Sequence, residues 1–122
     1  MKLKPVYRVT TFVPPAQLDL VLAGISRVVP LRVGLYERVV WSSSPGLEQF
    51  RPCPGANPTQ GEAGILEKVD SVALVFSIPR DRALLEKVLV EGLIPSHPWE
   101  EPVVYVDEAM TTRTQIDEDD LL

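Results

Sequence analysis

Ser96-His97-Pro98-Trp99-Glu100-Glu101-Pro102 places the only histidine of the chain, two adjacent carboxylates and an indole within seven residues that also hold two prolines. A residue before proline is pushed out of the helical region, so His97 and Glu101 are expected to be extended. The segment then reads as a stiff acidic elbow with an imidazole at one end. Three kinds of chemistry are open to it. His97, Glu100 and Glu101 supply nitrogen and oxygen ligands for a divalent metal. Stable sites take three or four ligands, so a neighbouring subunit or water would have to complete the set. Acid–base work is the second reading, but adjacent carboxylates on extended backbone point apart instead of converging. The third is structural, with His97 anchoring the start of the following strand, and this is the primary role expected of it.

No other stretch adds a reactive constellation. Neither a Gly-x-Ser-x-Gly nor a phosphate-loop spacing occurs, so no catalytic residue is assigned and an enzyme is not expected. The single cysteine, Cys53, excludes an intramolecular disulfide framework and a cysteine-built metal cage. It sits between Pro52 and Pro54 with only Arg51 as a nearby base, which reads as an inert thiol. Ser42-Ser43-Ser44 reads as a polar turn before a phosphorylation site. Asp117-Glu118-Asp119-Asp120-Leu121-Leu122 matches an acidic dileucine signal superficially and reads better as a solvated tail.

The net charge of −5 is unevenly distributed. From His97 onward eight acids accompany one base, Arg113, which leaves nine acids and eleven bases, a net of +2, in the residues before it. No basic face with interleaved aromatics emerges, so nucleic acid is not an expected partner. No apolar run approaches the ~20 residues that cross a bilayer, and Met1-Lys2-Leu3-Lys4-Pro5 leads into a strand pattern instead of a signal-peptide core. A single domain in the cytoplasm is the expectation, with no membrane association.

The elements that would position the elbow follow in a fixed order. Val6 to Val13 is β-branched and aromatic and ends at Pro14-Pro15, as a strand does. Pro15 can open a helix whose apolar face is Leu18, Val21, Leu22, Ile25, Val28 and Val29, ended by Pro30. Arg32 to Trp41 reads as a second strand, with a bulge or bend at Gly34. Residues 42–64, rich in proline and glycine, read as a long loop packed on the body by Phe50. Leu66 to Ile78 reads as a third, central strand. Pro79 begins a second helix with Leu84, Leu85, Val88 and Leu89 on one side and Gly92 as its C-cap. Val103 to Val106 is a short fourth strand. A domain over 1–108 and an acidic flexible tail over 109–122 follow from this. The order βαββαβ predicts an α+β, ferredoxin-like sandwich: a four-stranded antiparallel sheet with two helices on one face.

Five motifs add a resemblance. They are Val33-Gly34-Leu35-Tyr36; Phe50-Arg51-Pro52; Gly55-Ala56-Asn57-Pro58 with Gly61; Gly64, Glu67 and Val69; and the elbow, with Trp99 where tyrosine is usual. In this order they resemble the PII-like/CutA-like domain of the GTP cyclohydrolase 1 type 2 homologue family, also called Ngg-interacting-factor-like, in its free-standing form. Val39 stands where that family often has cysteine, and Ala73-Leu74-Val75 replaces its Arg-x-Glu pair, which suggests a drier face at a subunit contact. The resemblance implies a non-enzymatic, regulatory homotrimer that binds a small ligand or a protein partner in clefts between subunits, without a cofactor. The ligand site expected is Phe50, Arg51, His97, Trp99, Glu100 and Glu101, formed where the long loop meets the elbow. The alternative it implies is a CutA-type protein holding a divalent metal through His97, Glu100 and Glu101.

Overall fold

The computed structural model describes residues 1–114; the acidic and dileucine readings of the tail lie outside the described residues. Five strands form the sheet: β1 Lys2–Val13, β2 Trp41–Ser42, β3 Gly46–Phe50, β4 Glu67–Pro79 and β5 Val104–Arg113. The path across it is β2-β4-β1-β5, every pairing is antiparallel, and β3 also pairs with β4. Helix α1 spans Leu18–Ser26, after a short 3-10 turn at Pro15–Gln17. Helix α2, Arg82–Lys87, passes without a break into a π-helical stretch, Val88–Leu93, and a last turn, α3, Ile94–Ser96. This is the α+β, ferredoxin-like arrangement read from the sequence, with one strand more.

Alternation sets the layers. Val9, Val13, Val72, Leu74, Phe76 and Ile78 turn one sheet face toward Val21, Ile25, Leu85, Val88 and Leu93 of the helices, and together they form the buried core. The helices approach closely at two glycines. A Cβ on Gly24 would lie 2.7 Å from the Gly92 carbonyl oxygen, and one on Gly92 would lie 3.0 Å from that of Gly24. Gly92 is therefore a packing contact inside the helix and not its C-cap. The start also differs: Asp81 caps α2 by accepting from the Leu84 amide, so Pro79 ends β4 instead of opening the helix.

Three further expectations are corrected. Arg32 to Val40 is not a strand. Leu31, Gly34 and Arg38 take positive φ values of 57°, 60° and 57°, and Val33 and Tyr36 close a tight turn by exchanging backbone hydrogen bonds of 2.8 and 3.0 Å. Positive φ breaks the extended backbone that a ladder needs. The 42–64 stretch is not all loop, because β3 lies within it against Glu67 to Ser71. β5 runs on to Arg113, into residues expected as tail, because Lys2 to Pro5 extend β1 beyond β4 and pair with Met110 to Arg113. Arg80 fastens this two-stranded extension, donating to the Val6 and Ala109 carbonyls.

Candidate functional site

The elbow starts where the β1–β5 ladder stops. The last pair of that ladder is Thr11 with Val104, whereas β1 continues to Val13 against β4. Phe12 lies opposite Ala73, whose backbone N–H and carbonyl both bond to Ser43 on the far side. The Phe12 carbonyl therefore faces the β5 side, beyond the last rung. His97 fills the gap: its Nε2 donates to the Phe12 carbonyl at 2.8 Å, and its Nδ1 accepts the Trp99 amide at 3.1 Å. Thr11 Oγ1 adds a bond to the Val103 carbonyl at 2.9 Å.

His97 is 7% exposed, and its pKa is lowered. Burial is the largest cause, opposed by the bond to the Phe12 carbonyl and by the charge of Glu48. The neutral ring has one donor and one acceptor, and both are in use. This arrangement tells against the metal reading of His97, Glu100 and Glu101. No ring nitrogen is left to a cation, and no group of three metal-ligating side chains occurs among the described residues.

Trp99 projects from the elbow onto the 50–61 loop. Its ring centroid lies 5.9 Å from that of Phe50, the planes tilted by 55°. Asn57 donates its amide to Glu100 Oε1 at 2.9 Å, and Thr59 Oγ1 donates to the Pro98 carbonyl at 2.6 Å. Two motifs some forty residues apart thus meet within one chain. Between them is a cavity of about 240 Å3, lined by Phe50, Trp99, Glu100 and Glu101 together with Glu48, Pro52 and Thr59 among others.

Of the six ligand-site residues expected, the structure brings Phe50, Trp99, Glu100 and Glu101 to this cavity. His97 sits behind Trp99 as a support, and Arg51 is exposed and does not line the cavity. Glu48 was missed. Its Oε1 accepts both the Trp99 indole N–H at 3.2 Å and the Ser71 hydroxyl at 2.6 Å, and so fixes the indole. Glu48 and Phe50 are two apart on β3 and share a face, so reading Gly46–Phe50 as a strand would have found it.

The sheet face away from the helices is partly apolar. Residues directly opposite in a ladder share a face. Trp41, Val75, Thr10 and Tyr105 therefore form one row across four strands. Trp41 is 60% exposed and Tyr105 59%. The Phe12 and Tyr105 rings meet edge to face at 6.3 Å on this side. A groove of about 440 Å3 on this face shares Glu48, Gln49 and Val103 with the Phe50–Trp99 cavity, so the two adjoin.

Comparison with known proteins follows the same outline. No family model matches the chain. It is 33% identical over 97 residues to the GTP cyclohydrolase 1 type 2 homolog of Bacillus subtilis, covering 80% of this chain and 25% of that protein. It is 34% identical over 98 residues to the same-named protein of Staphylococcus aureus strain Mu50, with the same coverage. The chain thus spans about a quarter of the length of these curated relatives. The structure of a Bacillus cereus protein related to NIF3 aligns with 89% of this chain and 27% of its own, at TM-score 0.69 and 26% identity. CPII, a nitrogen regulatory PII-like protein of Thiomonas intermedia K12 bound to ADP, AMP and bicarbonate, aligns over 93% of this chain and all of its own, at TM-score 0.55. At 16% identity that likeness is one of fold.

The expectation of a non-enzymatic protein is corrected by these matches, because the curated relatives are named as homologs of a GTP cyclohydrolase. No helix among the described residues is long and apolar enough to cross a membrane. The chain resembles a quarter-length segment of the GTP cyclohydrolase 1 type 2 homologs and shares its ferredoxin-like fold with PII-like proteins.

Proposed function

We propose that this chain is a PII-like module that assembles as a homotrimer in the cytoplasm and has a regulatory role, binding a small ligand at clefts between subunits. The observation that carries the reading is the meeting of the 50–61 loop with the elbow around the Phe50–Trp99 cavity. Polar atoms at its rim are held by Asn57, Thr59 and Ser71 before any ligand arrives, so little ordering remains to be done on binding. The exposed row Trp41, Val75, Thr10 and Tyr105 supports self-association, since a partner subunit would dry it. The adjoining groove would then lie between the subunit contact and the cavity. Phe50 and Trp99 wall the site, while Glu100 and Glu101 orient the ligand.

Light scattering at micromolar concentration tests the assembly, with a mass of three chains expected and a stable monomer refuting it. Thermal-shift screening of small metabolites against the native chain and Trp99→Ala tests the site. A ligand that raises the melting temperature of the native chain alone supports it, and ligands acting equally on both refute it.

A further inference from the structure

We propose that the Phe50–Trp99 cavity selects an organic cation, an alkylammonium or guanidinium group, over phosphate-bearing ligands. The inference rests on the ligand site argued above and adds the charge of its occupant. Three carboxylates, Glu48, Glu100 and Glu101, line the cavity beside two aromatic rings, and no lysine or arginine does so among the described residues. A fourth carboxylate side chain, that of Glu67, lies against Gly61 in the same loop.

The carboxylates at the rim are positioned, not merely clustered. Glu48 and Glu100 each use Oε1 for the protein, accepting from Ser71 and Trp99 and from Asn57 respectively. No partner among the described residues is found for either Oε2. An aromatic face attracts a cation through its quadrupole, and a partly desolvated site strengthens the attraction. The two rings, 5.9 Å apart and tilted by 55°, stand beside the carboxylates in the cavity wall.

Size agrees with charge. A cavity of about 240 Å3 lies below the range of roughly 300–1,000 Å3 typical for whole drug-sized ligands. A head group is accommodated in it. A polyphosphate would in addition face three carboxylates without a compensating base.

Trp41→Phe leaves Trp99 as the only indole, so its emission, excited at 295 nm, reports the cavity alone. Agmatine and tetramethylammonium are titrated at constant ionic strength, with ADP as the anionic comparison. Saturable responses to the cations are expected, with Glu100→Gln or Glu48→Gln weakening agmatine about fivefold or more and ADP giving none. Both amides keep an oxygen that accepts the existing hydrogen bonds, so the cavity is preserved while its charge falls. An acetylated, amidated arginine tripeptide that binds more tightly than agmatine identifies the source as a partner protein's side chain; the reverse identifies a free metabolite. Saturation by ADP without a response to the cations overturns the charge assignment and leaves the ligand site standing. Silence toward both overturns the site as well.

Discussion

Replacing His97 by alanine removes two hydrogen bonds that no neighbouring group can replace. The Phe12 carbonyl lies past the last rung of the β1–β5 ladder, and Ala73 opposite it is engaged with Ser43. The Trp99 amide loses its acceptor as well. A buried polar group left unpaired costs about 1–3 kcal/mol, and the solvent near the elbow can satisfy one of the two, so a total of about 1–3 kcal/mol is expected. For a domain of this size that lowers the melting temperature by roughly 4–12 °C. Urea melts at fixed protein concentration measure it, since any association makes stability depend on concentration. Two variants separate the bonds. Asparagine at 97 places a side-chain oxygen where Nδ1 stands and restores the local bond to the Trp99 amide. Glutamine reaches further and restores donation to the Phe12 carbonyl. Each should recover part of the loss. Melts of His97→Ala within 0.5 kcal/mol of the native chain, or no recovery in either rescue variant, would refute the reasoning.

The lowered pKa of His97 adds a pH dependence. The unfolded chain binds the proton more readily, so the contribution of the neutral ring is complete above about pH 6.5 and is lost as pH falls through the lower folded value. Melting temperatures should drop on acidification below pH 6.5, and His97→Gln should flatten that slope; an equal slope in both would contradict it. Gly24→Ala should destabilise by about 1–3 kcal/mol, because its methyl group would meet the Gly92 carbonyl, and a neutral result in urea melts would count against the close helix contact. Trp41→Arg and Tyr105→Arg should reduce the assembly to monomers with little loss of fold, since both side chains are exposed within one chain. An unchanged mass in light scattering would move the subunit contact elsewhere.

The core was legible because period and punctuation agreed. Val9 and Val13, the α1 stripe and Val72 to Ile78 are apolar where the buried layer requires it, and prolines bound them. The Arg32 to Trp41 segment misled because its β-branched and aromatic content suits a strand, while positive φ at Leu31 and Arg38 is set by the surrounding chain. β3 was hidden by the prolines around it. The end of β5 could not be read locally, since Ala109 to Arg113 has no apolar period and owes its strand to pairing with Lys2–Pro5. At the site, the elbow and the loop were visible as separate motifs, and the ring contact between Phe50 and Trp99 joins them. Glu48 was invisible for the same reason as β3. Arg51 carries a charge suited to a ligand site, yet it follows the end of β3, is exposed and does not line the cavity that Phe50 walls.

An amide NMR titration of the native chain with agmatine and, separately, ADP reads the cavity most directly. The Trp99 indole N–H, held by Glu48, and the Asn57 amide, held by Glu100, are reporters on its two sides. The account predicts that both resonances move together and saturably with agmatine, while amides of the distant Lys2–Pro5 strand stay in place. Saturable shifts confined to other surfaces, with these two resonances unmoved by either compound, would contradict it.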